Sequence, residues 1–159
     1  MARSRKVIRK KIIEADPLYG NRLVAKFTNK LMRDGKKSVA QSVVYKAFEI
    51  IKAKGHDPAK LFETVLATVS PRMEVRPRRI GGASYQVPTE VRGERRNSLA
   101  IRWILTAAKA RSNKEYHTFA EKLAAEFLDI VEGKGEAIRK RNAMHKTAES
   151  NRAFAHFRW

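Results

Sequence analysis

Cysteine is missing from this 159-residue sequence, which excludes disulfides, thiolate metal ligation and a cysteine nucleophile. No apolar run reaches the ~20 residues that span a bilayer. The charged opening MARSRKVIRKKII has no long apolar stretch behind it, so neither a membrane span nor a secretory signal is expected. Histidine is sparse: His56, His117, His145 and His156 stand apart, with no i, i+4 pair, no HExxH pattern and no carboxylate cluster suited to a metal. The double glycine Gly81-Gly82 fits neither GxGxxG nor GxxxxGK[ST]. Acid–base chemistry needs imidazoles or carboxylates with tuned pKa values in a cleft, whereas the 16 acids here read as helix caps and helix-face partners. The expectation is a protein that is not an enzyme and uses neither metal nor cofactor.

Acid is scarce as well. Against 35 lysines and arginines stand only 16 aspartates and glutamates, a formal net charge of +19. Self-repulsion on that scale opposes compaction unless a polyanion neutralises it, and the two available classes are nucleic acid and an anionic membrane surface. The hydrophobic share of 43% is ordinary for a globular chain, so a folded core is expected, and the length fits one domain.

Residues 1–15 read as a basic arm. Arg3, Arg5, Lys6, Arg9, Lys10 and Lys11 precede any acid, a composition that orders on a polyanion. The turn cluster Asp16-Pro17-Leu18-Tyr19-Gly20 ends the arm and opens a helical domain over residues 16–150. Leu23, Val24, Phe27 and Leu31 predict a first helix that stops at Asp34-Gly35. A second starts near Lys36 with Val39, Val43, Ala47 and Ile50 as its apolar face, and ends at Lys54-Gly55. Asp57-Pro58 caps a third, lined by Leu61, Phe62, Val65, Leu66 and Val69 and closed by Pro71. A fourth begins near Glu94, carries Leu99, Ile101, Trp103, Ile104, Leu105, Ala107 and Ala108, and breaks at Ser112-Asn113. Tyr116, Phe119, Ala120, Leu123, Phe127 and Ile130 mark a fifth, ended by Gly133-Lys134-Gly135. The sixth, from near Glu136 to about Ser150, is poorly amphipathic, with Ile138 and Met144 almost its only large apolar residues. Residues 151–159 form a tail.

Between the third and fourth helices the period changes to two. Residues 72–91 alternate on either side of Gly81-Gly82, the pattern of a β-hairpin. Pro77 and Pro88 keep it out of a larger sheet. The expected fold is therefore mainly α: a bundle of about six helices with one protruding two-stranded hairpin. Such a ribbon is marginal alone in water, which suggests that a partner orders it.

Within Pro71–Trp103 the missing residue is lysine: the stretch has eight arginines and three glutamates. Arginine is a planar fork that grips phosphate bidentately and stacks on bases, whereas lysine is a mobile point charge. Arg72, Arg76, Arg78 and Arg79 lie on the ribbon, and Tyr85 offers a stacking face. Protection of an open strand edge is the rival reading, but it favours lysine and needs only one or two charges. Arg92, Arg95, Arg96 and Arg102 open the next helix. Positive charge there opposes the helix dipole by ~0.3–1 kcal/mol each, a placement that an adjacent polyanion explains. Trp103 reads as core beside Leu99, with base stacking as the alternative.

Further basic surfaces are Lys36-Lys37 at a helix start, Arg111 with Lys114, and Arg139-Lys140-Arg141 on the last helix. In the tail, Phe154, Phe157 and Trp159 alternate with Arg152 and Arg158. Stacking on RNA, docking on the body and contact with a protein partner all stay open for these rings. Surfaces so dispersed do not suit one duplex groove; a folded RNA that wraps the protein does. A DNA-binding architectural protein and a cationic membrane-surface protein are the alternatives. The first lacks a helix-turn-helix signature, and the second lacks a wide apolar face on its last helix.

These residues also resemble a known family. Pro71-Arg-Met-Glu-Val-Arg, then Arg78-Arg-Ile-Gly-Gly-Ala-Ser-Tyr-Gln-Val-Pro and Leu99-Ala-Ile-Arg-Trp103, closely resemble bacterial-type small-subunit ribosomal protein seven. So do Asp16-Pro17-Leu18-Tyr19-Gly20, Met32-Arg-Asp-Gly-Lys-Lys-Ser38 and the ending Asn151-Arg-Ala-Phe-Ala-His-Phe-Arg-Trp159, collinearly over the whole chain. The likeness departs at Arg141-Asn142-Ala143, where acids often follow the basic pair, and at Phe157, where tyrosine is frequent. The resemblance implies a ribosomal, cytoplasmic protein, monomeric within its particle, with an organellar ribosome also compatible. It implies binding to the 3′ major domain of small-subunit rRNA and nucleation of head assembly. Residues Arg78, Arg79, Ile80, Gly81, Gly82, Ala83 and Tyr85 would lie near mRNA and exit-site tRNA at the subunit interface. Small-subunit ribosomal proteins nine and eleven would be neighbours, the latter through the tail; some members also repress their own messenger.

Overall fold

A computed structural model describes residues 13–157. The arm cations Arg3, Arg5, Lys6, Arg9, Lys10 and Lys11, and Arg158 and Trp159 of the tail, lie outside the described residues. Six α-helices and one hairpin follow in chain order: α1 (Arg22–Leu31), α2 (Lys37–Ala53), α3 (Pro58–Val69), β1 (Met73–Ile80), β2 (Ala83–Glu90), α4 (Gly93–Ala110), α5 (Phe119–Val131) and α6 (Glu136–Ser150). The tail is not extended but forms a 3₁₀ turn over Arg152–Phe157.

Three of the six helix starts, those of α1, α3 and α5, follow side-chain chemistry. The Asn21 side chain accepts the Leu23 N–H and begins α1. Asp57 does the same for Ala59, with Pro58 pre-set at the first helical position of α3. Thr118 and Glu121 close a reciprocal capping box on α5, leaving Tyr116 in the loop ahead of it rather than in the helix. Tyr19, in the turn cluster before α1, packs on the core edge-to-face with Phe48 at 5.0 Å.

The core is centred on four phenylalanine rings, each from a different helix: Phe27 of α1, Phe48 of α2, Phe62 of α3 and Phe127 of α5. Their centroids lie 5.5–6.3 Å apart in mostly tilted or edge-to-face contacts. Such contacts add about 0.5–1.5 kcal/mol per pair beyond the apolar area buried. All five predicted α3 core residues are buried. In α2 the inward face is turned by one residue from the predicted one: Ala40, Val44, Ala47, Phe48 and Ile51 are buried, while Val39 is 58% exposed. Trp103 packs, half-buried, against this core, as its spacing implied.

The ribbon turns over two residues, Gly81 and Gly82, at φ +57° and +89°. Two consecutive left-handed residues are the requirement of the type I′ turn, whose twist matches the strands. Register runs from Met73↔Glu90 to Ile80↔Ala83. The base of the ribbon is not free: Val87 is fully buried, Glu74 is 3% exposed, and α6 and the 3₁₀ turn both pack on the strands.

Candidate nucleic-acid interface

Glu74 organises the junction of ribbon and bundle. It follows Met73 on β1, so period-2 alternation puts Glu74, Arg76 and Arg78 on one face and Arg79 on the other. Opposite them across the ladder stand Thr89, Val87 and Tyr85. Arg76, two residues on, donates from Nε to Glu74 Oε1 at 2.7 Å. Arg95 arrives from the first turn of α4 and donates to both carboxylate oxygens, Nε at 2.8 Å and Nη2 to Oε2 at 2.8 Å. The carboxylate is 4% exposed, while the arginine side chains remain 51% and 55% exposed. Burial pushes the Glu74 carboxyl upward, but the hydrogen bonds from Arg95 and Arg76, with their charges, outweigh it and hold its pKa below the usual carboxylate value. Two forks from two elements thus share one buried anion and keep half their surface in solvent.

Other groups complete this end of the molecule. Arg92 is exposed and lies 3.5 Å from Glu90. Lys26 of α1 reaches Glu94 at 2.9 Å and ties the first turn of α4 to the bundle. Arg78, Arg79 and Arg102 are exposed; Arg96 is half-buried. Arg96 Nε and Thr89 Oγ1, the latter on the residue paired with Glu74, are buried and have no hydrogen-bond partner among the described residues.

The ribbon is braced on its other flank by the C-terminal region. His145 of α6 accepts the Arg72 backbone N–H at its Nε2, 3.0 Å away. Burial, then the charges of Arg141 and Arg72, lowers the His145 pKa and keeps the ring in the neutral form this bond requires. Tyr85 packs its ring against Phe154 at 5.2 Å and Phe157 at 5.5 Å. Of the roles open to these tail rings, this contact is an intramolecular one: they cover Tyr85, which is half-buried instead of offering an open stacking face.

The remaining sequence-predicted cations divide into exposed ones, among them Arg139 beside Glu136 at 3.5 Å, and ones held inside the fold. Lys36 and Lys37 are exposed where Asp34 and Gly35 turn the chain at positive φ into α2. Lys36 shares with Arg33 and Lys109 the rim of a groove walled by Leu31, Met32, Val39, Val43 and Phe119. Lys114 and Arg139 are exposed, and Lys140 is half-buried. Arg141 donates to the Thr68 carbonyl at the end of α3, so it clasps α6 to the bundle.

Arg111 departs most from its sequence reading. Instead of facing solvent, its side chain is 16% exposed, and it is gripped by Glu126 at 2.7 Å and by Asp129. Its guanidinium also sits 5.6 Å from the Tyr116 ring centre. Buried Lys122 caps the end of α4 by donating to the Arg111 carbonyl and to Asn113. The acids that hold Arg111 are three apart on α5, a spacing that puts both on one helix face.

Two residues that sequence reading passed over are thus central: Glu74 and His145. Glu74 has a signal in hindsight, an acid on the first strand flanked by Arg72 and Arg76. His145 has none, since its partner is a backbone group 73 positions away. Among the described residues no helix is long and apolar enough to cross a membrane, and no cluster of three or more metal-ligating side chains occurs.

Known proteins share this sequence along nearly its whole length. The family model described as ribosomal protein S7p/S5e matches residues 2–152. The small ribosomal subunit protein uS7 of Moorella thermoacetica is 54% identical over 160 residues, covering 100% of both chains. Its counterpart in Carboxydothermus hydrogenoformans is 53% identical over 151 residues, 94% of this chain and 95% of its own. That of Xanthobacter autotrophicus is 49% identical over 160 residues, again across 100% of both.

Proposed function

The chain belongs to the ribosomal protein S7p/S5e family, and from that premise we propose that it is a structural component of the small ribosomal subunit that binds the 3′ major domain of small-subunit rRNA and nucleates assembly of the head. The family is one of structural, non-enzymatic proteins. Its relatives are named for the small ribosomal subunit, which supports placing this chain on the cytoplasmic ribosome of a bacterial-type cell. In the finer reading, the hairpin tip reaches toward exit-site tRNA and mRNA, and ribosomal proteins nine and eleven are its protein neighbours.

One observation carries the RNA reading. The arginine-only segment folds so that two elements, a ribbon and a helix start, present half-exposed guanidinium forks from one junction. A fork held in place loses less side-chain freedom on meeting a phosphate than a loose lysine does. The exposed Arg78, Arg79, Arg92 and Arg102 extend the same basic surface, and dispersed cations beyond it suit an RNA that wraps the protein.

The test is titration of the full chain with a transcript of the 3′ major domain at several salt concentrations, with duplex DNA as competitor. If about six phosphates are engaged, log affinity falls with log salt at a slope of roughly −4 on the single-strand coefficient. Changing Arg76, Arg78 and Arg79 together to alanine weakens binding and leaves far-UV helicity intact. Equal competition by duplex DNA, a salt-insensitive affinity, or collapse of helicity with affinity unchanged would each overturn the reading.

A further inference from the structure

We infer that Glu74 is a positioning residue for RNA: a buried carboxylate that sets Arg76 and Arg95 as one paired clamp for neighbouring phosphates at the ribbon–helix junction. This rests on the RNA-binding reading above and adds the device by which the two arginine-bearing elements act together.

On charge alone, an acid in the middle of a polyanion-binding surface is a defect. Glu74 removes one unit of positive charge and repels any phosphate that approaches. Its burial and its partners give the opposite account. At 4% side-chain exposure the carboxylate is shielded from a ligand, whereas Arg76 and Arg95 stand in front of it with half their surface open. Both oxygens accept from Arg95, and Oε1 also accepts from Arg76. Both guanidinium planes are therefore fixed by a common anion.

An arginine uses one edge to hold Glu74 and keeps other N–H groups for a second acceptor, since the fork carries five donors. Unbound, each arginine would otherwise sample many rotamers and lose that side-chain freedom on binding. The shared carboxylate removes part of that cost in advance, by the logic of preorganisation. It also couples elements 21 positions apart in sequence, so the spacing between the forks is set by the fold rather than by the ligand. Arg96 Nε, buried and unpartnered among the described residues, lies next in sequence to Arg95.

Coulomb's law and positioning predict opposite signs for one experiment. Deleting the carboxylate should tighten RNA binding if charge count governs, and weaken it if Glu74 places the clamp. The full chain and its Glu74→Ala, Glu74→Gln and Arg76→Ala/Arg95→Ala variants are titrated with the 3′ major domain transcript and, separately, with duplex DNA of equal length. The expected result for Glu74→Ala is affinity about tenfold weaker, the factor that accompanies one good contact, with retained helicity. Its salt slope should become shallower by about 0.7 for each phosphate no longer engaged. Glu74→Gln, which keeps the shape and one acceptor, falls between. In the Arg76→Ala/Arg95→Ala background, adding Glu74→Ala changes affinity less than twofold.

Binding by Glu74→Ala that equals or exceeds that of the unaltered chain overturns the inference. So does a loss confined to thermal stability with affinity unchanged well below the melting temperature, the outcome for a merely structural brace. If the alanine variant does not fold, Glu74→Gln decides: affinity within twofold of the unaltered chain overturns the proposal. Failure of the ribosomal reading is seen elsewhere, in equal binding of transcript and duplex DNA by the unaltered chain. The Glu74 comparison is then still scored on the polyanion that binds.

Discussion

Replacing Glu126 by alanine should cost this protein stability and leave its RNA affinity alone. Glu126 is 1% exposed and accepts two hydrogen bonds from Arg111 through Oε2, at 2.9 and 2.7 Å. Its other oxygen accepts the Ala137 N–H at 3.3 Å, near the start of α6. Removing one partner of a buried ion pair costs about 3–5 kcal/mol, because the remaining charge stays desolvated. Here Asp129 still reaches Arg111, so the lower end applies, roughly 3 kcal/mol. Leaving Ala137 N–H without an acceptor adds about 1 kcal/mol or more. For a chain of this length each kcal/mol moves Tm by about 3 °C, so the loss should be on the order of 10 °C. Thermal unfolding followed by circular dichroism at neutral pH measures it. Arg111→Ala should destabilise by a similar amount, and the double variant by clearly less than the sum of the two, since they share one interaction. A Tm loss below about 3 °C for Glu126→Ala, or an RNA affinity that falls in Arg111→Ala while Tm holds, would refute the reasoning. The second result would make Arg111 an RNA contact, as its position just past α4 first implies.

Two further outcomes concern the bracing of the ribbon. His145 is held neutral with a lowered pKa, so the unfolded chain takes up its proton first as pH falls. Stability should therefore be full above about 6.5, the ordinary value, decline as pH drops from there toward the lowered folded-state value, and level off below it. Denaturant unfolding at pH 7.5 and 5.5 should show this decline in the unaltered chain and a weaker one in His145→Gln; equal declines would count against the assignment. Changing Phe154 and Phe157 to alanine removes two ring contacts to Tyr85, each worth about 0.5–1.5 kcal/mol. Amide exchange in β2 should accelerate several-fold while that of α3 and α5 does not change, and uniform acceleration would mean the tail supports the whole bundle.

Much of the fold is legible in the sequence because local chemistry and tertiary packing agree there. Asp57-Pro58 starts α3, and its apolar stripe is the buried one. Gly81-Gly82 centres the ribbon because the turn needs two left-handed residues in succession. In α2 the two levels diverge. Val39 attracts a periodicity argument by its size, yet it is exposed, and beside the correctly predicted Ala47 the core positions go to Val44, Phe48 and Ile51, with small Ala40 also buried. Size alone does not mark the inward face.

At the interface, residue types are legible and pairings are not. Nothing local in Arg-Met-Glu-Val-Arg says that the glutamate is buried; α4 buries it by arriving from 21 positions on. Arg111 beside a helix end reads as free, because Glu126 and Asp129 belong to the next helix. The aromatic tail is ambiguous for the same reason, since its partner Tyr85 is far away in sequence.

The four-ring knot has a consequence for how the chain comes into being. Phe27, Phe48 and Phe62 are made early, but the ring that touches all three belongs to α5, at residue 127. During synthesis from the N-terminus, the first three helices and the whole ribbon leave the ribosome before that keystone does. The nascent protein must pass through an interval in which its basic surfaces exist and its aromatic centre is still open. Completion of α5 closes that centre, while α6 and the 3₁₀ turn, which brace the ribbon, are still to come.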